Sequence, residues 1–576
     1  MKWVLRRSAP SLQVELLAKE LSTRHPFPHS LSNILIQREI DSLKKAKDFF
    51  VPEKNELHDP FLMKDMDLAV MRLLKAHESG EKVWVYGDYD VDGTTSVTLF
   101  CLFLESWGFE FDYHIPDRYT EGYGISYKGI TTGLAQGATL MVSLDCGIKA
   151  LEKVKFANLK GMDVIICDHH HPGESLPEAI AILDPKRPDC EYPFKELTGC
   201  GIGLKLAMAV NRKLIEKGAR GAPDDFDPLA EYADLVALSI ASDIVPVVGE
   251  NRIIAHLGLE KIKTQPLKGI KSIMDLSENQ RVWDIGDLVF FIGPHINAAG
   301  RLGHAREAVE VLIGHQGLDA EALHDQNEER KNIERVITDE ALNLIQQDVT
   351  FDKKNTTVLY QPEWHKGVIG IVASRLIETH FRPTIILTRS EGKLVGSARS
   401  VPGFDLYAAM EKCAAHMVQF GGHKYAAGLT MEEEAFEDFT NAFEKVVSDT
   451  ITPEQKIPVL YIDQMLDFHE INARYIRLMN RLGPFGPQNR TPVFVATNVE
   501  VIDAVVLKEK HLRLTLRKGT QVFSSIGFNL AEKWKEINNL FLDVAFQPDF
   551  NTWKDKTTIH LKLKDIRFPH NDLSSN

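Results

Sequence analysis

The chain has 576 residues, 44% hydrophobic and 26% charged, with a net charge of −14. At about 150 residues per domain it is a chain of three or four domains, and no apolar run approaches the roughly 18–20 residues of a membrane span. The N-terminus has basic residues but no apolar segment after them, so it does not read as a signal peptide, and the acidic balance argues against a protein that coats nucleic acid through bulk charge while leaving room for a local basic groove.

In chain order, residues 1–50, broken by Pro10, Pro26 and Pro28, read as a small helical lead-in. The apolar positions Met66, Leu68, Ala69, Met71, Leu73 and Leu74 predict a helix over 65–77, then a turn at Gly80 and a strand at 83–86. Residues 94–104 read as a buried helix stopped by Gly108. Strand signals recur at 140–144, 164–167 and 180–183, with helical stretches at 150–156 and 204–216 between or after them. Such alternation predicts a parallel sheet with helices on its faces. This first α/β unit spans 51–317, and in it the apolar run 235–241 leads to Asp243. Over 318–348 the character changes to a long connecting helix, capped by Asp319, whose middle (327–332) is polar nearly all round; that suits a solvated bridge between domains. A second α/β unit, 349–455, has strands near 357–360, 384–388 and 394–398. The last unit, 456–576, is strand-rich: residues 511–517 alternate strictly and Gly519-Thr520 turns the chain into 521–528, a spacing that predicts a small barrel.

Two stretches carry the chemistry. Asp88-Tyr89-Asp90-Val91-Asp92-Gly93 follows the apolar run Val83-Trp84-Val85-Tyr86, and Asp168-His169-His170-His171 follows Val164-Ile165-Ile166-Cys167. Asp145 ends another apolar strand, after Ser143-Leu144. The carboxyl edge of an open α/β sheet is where ligands bind, and acids crowded there repel one another unless a divalent cation neutralises them. A calcium loop is excluded, because its twelfth position must be a bidentate Glu and here it is Leu99. Gly93 is expected to allow a sharp turn. None of the six cysteines forms a Cys-x-x-Cys pair, and Cys101 and Cys167 lie in apolar runs, which speaks against structural zinc and for a reducing, cytoplasmic setting. Carboxylates with some imidazole suit Mn²⁺ or Mg²⁺, and there are enough of them for two ions sharing one carboxylate.

These motifs continue in Ser242-Asp243-Ile244-Val245-Pro246, in Gly293-Pro294-His295-Ile296-Asn297-Ala298-Ala299-Gly300-Arg301, in Trp364-His365-Lys366-Gly367-Val368-Ile369-Gly370 and in Gly421-Gly422-His423-Lys424-Tyr425-Ala426-Ala427-Gly428. In this order they resemble the DHH family of phosphoesterases, the last run resembling the signature of the DHHA1 domain; the likeness extends from about residue 45 to the end. The resemblance implies a parallel-sheet catalytic domain, a DHHA1-like domain and a C-terminal OB-fold barrel. It also implies a 5′→3′ exonuclease on single-stranded DNA that releases 5′-mononucleotides with Mn²⁺ or Mg²⁺ and acts in repair and recombination. Carried over by position, Asp88, Asp90 and Asp145 would ligate one ion and Asp92, Asp145, His169 and Asp243 the other, with Asp145 bridging. Asp168 would orient His169, and His170 would face the scissile phosphate.

Two departures stand out: His295 occupies a position where the family often has Arg, and His171 leaves the ligating histidine open by one residue. Arg118, Arg301, Arg375, Arg399 and the Gly421-Gly422-His423 run are candidates for substrate phosphates. Lys508, Lys510, Arg513, Arg517 and Lys518, with Phe523, Phe528 and Trp553, suit a single-strand track on the barrel. The partners implied are single-stranded DNA, a single-strand-binding protein and a helicase, with no membrane and a monomeric chain. The rival readings are a short-oligonucleotide, cyclic-dinucleotide or polyphosphate phosphodiesterase, and a non-catalytic DNA-binding replication scaffold.

Overall fold

The computed structural model describes residues 1–223, 225–277, 282–314, 320–537, 539–553 and 556–569. The chain begins with a strand, β1 (Lys2–Leu5), followed by helices Ser11–Leu21, His29–Gln37 and Leu43–Phe50. The first domain is built on β2 (Lys82–Gly87), β3 (Phe111–His114), β4 (Ala138–Leu144), β5 (Asp163–Cys167) and β6 (Ala181–Leu183). They lie in the order β3-β2-β4-β5-β6, every pair parallel. The central strands are mostly apolar because both faces are covered. Val83, Val85, Leu140 and Val142 join the core on one face, and Trp84, Tyr86, Met141 and Ile166 the core on the other. From β2 the chain passes to β3 on one side and then to β4 on the other, so the topological switch point lies between β2 and β4.

The helix after β2 starts earlier than the apolar pattern predicts. It runs Val91–Ser106, with Asp90 as its N-cap accepting from Gly93 N at 3.1 Å. Asp92 and Gly93 therefore occupy the first helical turn. Gly93 serves close approach rather than a sharp turn, since a Cβ there would strike the Asp88 backbone. The apolar run before Asp243 belongs to the helix Pro228–Ser242, with Asp243 at its C-cap.

The connecting helix is Ala320–Gln347; Leu318 and Asp319 lie outside the described residues. Its polar middle is solvated on one face only, where Glu328, Glu329, Lys331 and Asn332 are exposed. The helix packs against Gly293–Leu302 and Ile369–His380, so Asn327, Arg330 and Glu334 are buried. They satisfy one another: Arg330 reaches Glu334 at 2.7 Å and Asn327 at 3.1 Å, and Arg375 closes on Glu334 at 2.9 Å. Leu323 joins the first domain's core, whereas Ile337, Ala341 and Ile345 join Trp364 and Val372 of the second.

The second sheet comprises β7 (Thr357–Tyr360), β8 (Thr384–Ser390), β9 (Lys393–Arg399), β10 (Gln419–His423) and β11 (Ala426–Met431), in the order β10-β11-β9-β8-β7. Gly421, Gly422 and His423 thus sit on an edge strand. The last unit holds β12 (Val459–Ile462), β13 (Gln464–Met465), β14 (Phe494–Leu507), β15 (His511–Lys518), β16 (Gln521–Gly527), β17 (Phe541–Trp553) and β18 (Lys556–Arg567). β14-β15-β16-β18-β17 close into a barrel through the β14–β17 pairing. Leu512, Leu514 and Leu516 point inward from β15, while Arg513 and Arg517 point out. Phe523 is a core residue, edge-on to Phe468 at 5.3 Å, not part of a binding face; Phe528 is exposed, and the side chain of Trp553 lies outside the described residues.

The N-terminal segment is not a lead-in to the first domain. β1 pairs in parallel with β12, and Leu17, Phe27, Leu31, Ile34 and Leu35 share a core with Phe468, Tyr475, Phe494 and Phe546 of the barrel unit. Helices this short bury their apolar faces only against a larger partner. Among the described residues no helix is long and apolar enough to cross a membrane.

Candidate metal centre and substrate cleft

Gly87 of β2, Leu144 of β4 and Cys167 of β5 are in register at the ends of adjacent strands. Asp88, Asp145 and Asp168 therefore leave the sheet side by side. Asp145 takes a left-handed conformation, φ +61°, which Asp tolerates. Gly199 packs so close to it that an added Cβ would lie 2.5 Å from Asp145 Cβ. Three sets of side chains offer ligand atoms within 4.8 Å of one another: Asp88, Asp90 and Asp145; Asp92, His169 and Asp243; and Asp145, His169 and His170. His169 Nε2 lies 3.1 Å from Asp145 Oδ1, 3.6 Å from Asp243 Oδ2 and 3.7 Å from Asp92 Oδ2. Exposed His171 is in none of the sets, whereas His169 is in two of them and His170 in one.

Several of these atoms make no hydrogen bond within the protein. Asp88 Oδ1, Asp145 Oδ1 and both ring nitrogens of His169 are buried without a hydrogen bond. Burial, then the neighbouring carboxylates, pushes Asp88 and Asp145 well above the usual carboxylate range, and raises Asp90 and takes Asp243 up to about 8. Burial also holds His169 down at about 4, as the neutral imidazole that ligates metal. Uncompensated buried acids with one neutral imidazole are a donor set that fits Mn²⁺ or Mg²⁺. Asp92 is anchored differently. Its carboxylate accepts from Gly199 N at 2.7 Å, Cys200 N at 2.9 Å and Ser239 Oγ at 2.7 Å, the first two being amides at the start of the helix Gly199–Glu216. Sequence reading missed these anchors; the available signal was Thr198-Gly199-Cys200-Gly201, a capping residue amid glycines.

Asp168 does not orient the His169 ring, as the resemblance implied. Its Oδ1 accepts from His170 Nδ1 at 2.7 Å and from His169 N at 2.8 Å, and its Oδ2 accepts from Ile148 N at 2.9 Å. Residues leaving a strand alternate in direction, so Asp168 shares a side with His170 and the His169 ring turns to Asp145. Burial opposes protonation of His170, but the bond to Asp168 and the charges of Asp168, Asp243 and Asp92 outweigh it and raise its pKa to about 9. The Tyr123 hydroxyl, 3.2 Å from His170 Nε2 and 3.3 Å from Asp145 O, was another residue without a sequence signal.

Three of the four candidate arginines converge. Arg118 lies 4.0 Å over the Tyr89 ring, Arg301 donates to Gly367 O at 2.9 Å, and Arg399 donates to Ser397 Oγ at 3.0 Å. Burial, then the charges of Arg118, Arg330 and Arg399, lowers Arg301 to about 10. Arg375 is instead tied to Glu334, on a cavity of about 570 Å³ that it shares with Arg301 and Arg330 along the connecting helix. His295 is buried, its Nδ1 2.6 Å from Phe291 O and its ring stacked on His324, so it makes no contact in the cleft. Burial lowers the pKa of His423, as do Lys149, His170, His171 and Lys186 facing it from the first domain. On the barrel Arg517 is paired with Glu500 and Lys518 lies 3.5 Å from Asp467, while Lys508, Lys510 and Arg513 are the exposed cations of the expected cluster outside these two pairs.

The DHH family N-terminal domain matches residues 82–240, the DHHA1 domain 353–449 and the RecJ OB domain 462–565. The single-stranded-DNA-specific exonuclease RecJ of Bacillus subtilis (strain 168) is 34% identical over 579 residues, covering 98% of this chain and 70% of its own length. The RecJ of Escherichia coli (strain K12) is 32% identical over 96% of this chain and 99% of its own. Among solved structures, RecJ in complex with Mn²⁺ from Thermus thermophilus superposes with a TM-score of 0.83 at 25% identity, covering 99% of this chain and 80% of that one. An exonuclease RecJ bound to manganese gives a TM-score of 0.57 at 30% identity, covering 69% of this chain and 97% of that one.

Proposed function

The chain belongs to the RecJ family of single-stranded-DNA-specific exonucleases, and on that premise we propose that it degrades single-stranded DNA from the 5′ end with Mn²⁺ or Mg²⁺ as cofactor. The observation that carries this reading is the convergence of unpartnered, buried Asp88, Asp145 and His169 atoms at the switch point of the parallel sheet. Asp88, Asp90 and Asp145 would hold one ion, and Asp92, Asp145, His169 and Asp243 would hold a second, with Asp145 available to both. When bound, the metal supplies Lewis-acid chemistry, making water nucleophilic near neutral pH and offsetting charge on phosphoryl oxygens.

The side chains do the rest by position and charge. His170, kept protonated by Asp168, sets a positive charge beside the phosphoryl group, and Tyr123 steadies its ring. Arg118, Arg301 and Arg399 close one end of the cleft and receive the terminal phosphate, so the strand advances until its 5′ end meets them and the first diester is the bond in reach. The β10 edge, where Gly421 leaves the backbone open, faces the strand from the second domain together with His423. Lys508, Lys510, Arg513 and Phe528 track the trailing strand along the barrel. A dinucleotide or other small soluble substrate would leave such a track without a task.

In the cell this activity serves repair and recombination in the cytoplasm, by a monomer working beside a single-strand-binding protein and a helicase; the six free, buried cysteines fit that reducing setting. The test is digestion of single-stranded and duplex DNA carrying a 5′ or a 3′ label, with Mn²⁺ or EDTA. The 5′ label should appear first, as mononucleotide, only on single strands and only with metal. First release of the 3′ label, or equal attack on duplex, would sink the proposal.

A further inference from the structure

Asp243 is held unlike Asp88, Asp145 and His169. Asp88, Asp145 and His169 emerge from strands locked in a five-stranded sheet, whereas Asp243 stands at the end of a helix where the chain turns abruptly. Ile244 has φ +59°, a left-handed conformation that a β-branched residue avoids, and its side chain is exposed. Such a turn persists only where surrounding contacts over-determine it. One comes from the first domain itself: Asn251 Nδ2 donates to Pro246 O at 3.0 Å.

The others come from the barrel unit. Val247 N donates to Pro487 O at 2.9 Å, and Arg252 Nη2 donates to Gly483 O at 2.7 Å. The buried Val247 side chain rests so close to Gly486 that a Cβ there would overlap it. The bracing loop is itself well tied: Asn489 Nδ2 donates to Leu482 O at 2.9 Å and Pro484 O at 2.8 Å, and its Oδ1 accepts from Arg38 Nη1 at 2.6 Å. Phe49, from the N-terminal segment, stacks on the Arg252 guanidinium at 3.7 Å.

We propose that the 483–490 loop is a positioning element for Asp243: by bracing Val247 it sets where the Asp243 carboxylate stands, and so couples the seating of the barrel unit to metal affinity. Gly486 and Pro487 act through Val247 and touch neither metal nor DNA. The inference rests on Asp243 being a metal ligand, as assigned above.

The test uses the full chain with Gly486→Ala, which drives a methyl into Val247, and the double variant Gly486→Ala/Val247→Ala, which makes room for it. Binding of MnCl₂ alone is followed by calorimetry, alongside melting in EDTA and kcat and KM on a 5′-phosphorylated single strand. Gly486→Ala should bind Mn²⁺ about ten-fold more weakly, the scale of an outer-shell lesion, with kcat falling and KM unchanged, and the double variant should restore both. Arg252→Met, which removes the bond to Gly483 without a steric insult, should weaken Mn²⁺ binding in the same direction and decides the matter if Gly486→Ala does not fold. Parent-like Mn²⁺ affinity in the loop variants, or a loss that Val247→Ala leaves in place, overturns the proposal. Asp243→Asn in parallel tells two failures apart: undiminished Mn²⁺ binding there refutes the ligand assignment, and weakened binding there with normal loop variants refutes the positioning role alone.

Discussion

Replacing Asp145 by Asn separates the effect of its charge on the fold from its service to the metal. Asn is the apt replacement because residue 145 sits at φ +61°, where Asn is tolerated and Ala is strained. In the metal-free chain the ligand atoms of Asp88, Asp90 and Asp145 lie within 4.8 Å of one another. Two like charges at that distance repel by about 3.5 kcal/mol at an effective dielectric of about 20. The cluster escapes part of this by retaining protons, since burial and neighbouring carboxylates raise all three acids. Roughly 1–3 kcal/mol is then left for Asn to relieve. With metal the sign reverses, because the variant loses the ligand common to both sets of atoms. About 4 kcal/mol of lost transition-state stabilisation corresponds to a thousand-fold slower reaction. Asp145→Asn should therefore melt above the parent in EDTA, gain little from Mn²⁺, and hydrolyse single-stranded DNA about a thousand-fold more slowly. Differential scanning calorimetry with EDTA or MnCl₂, paired with release of a 5′ label, reads all three. A lower melting point in EDTA together with an undiminished Mn²⁺ shift would remove Asp145 from the ligand shell.

Arg301→Lys and Arg399→Lys should each raise KM for a 5′-phosphorylated strand about ten-fold with little change in kcat, since a point ammonium replaces a planar fork; a parent enzyme indifferent to 5′ phosphorylation would contradict the closed-end pocket. Glu334→Gln leaves Arg330 buried without its carboxylate and should cost about 3 kcal/mol in urea unfolding, and an unchanged midpoint would mean the polar centre of the connecting helix contributes nothing. Truncation after residue 455 removes the partners of Leu31, Ile34 and Leu35, which are fully buried in the whole chain. Limited proteolysis should then cut within 1–50 while the first domain survives; a resistant N-terminal segment would show that it folds without the barrel.

The acids at the sheet edge are legible because their signal is local. A parallel strand with both faces covered admits no charged side chain along its buried length, so Asp88, Asp145 and Asp168 each stand out against a mostly apolar run. The barrel strand His511–Lys518 is legible for the matching reason, one face in and one face out. The connecting helix illustrates where such reading stops: the polarity of Asn327, Arg330 and Glu334 is the same whether water or a neighbouring helix satisfies it, and here it is helices.

By itself, then, the sequence determined which acids and imidazoles end up close together at the sheet edge and the kinds of elements most of them sit on, since both follow from short-range periodicity and from the identity of the acids. Only the tertiary structure decided that Asp243 arrives from a helix end braced by Val247 against Pro487, that Arg301 and Arg399 meet across two domains, that Asp168 serves His170, and that residues 1–50 close onto the barrel. Contacts between segments hundreds of residues apart arise from whichever apolar faces remain uncovered once local structure has formed. That choice is made by packing the whole chain and leaves no periodic trace in any one stretch of it.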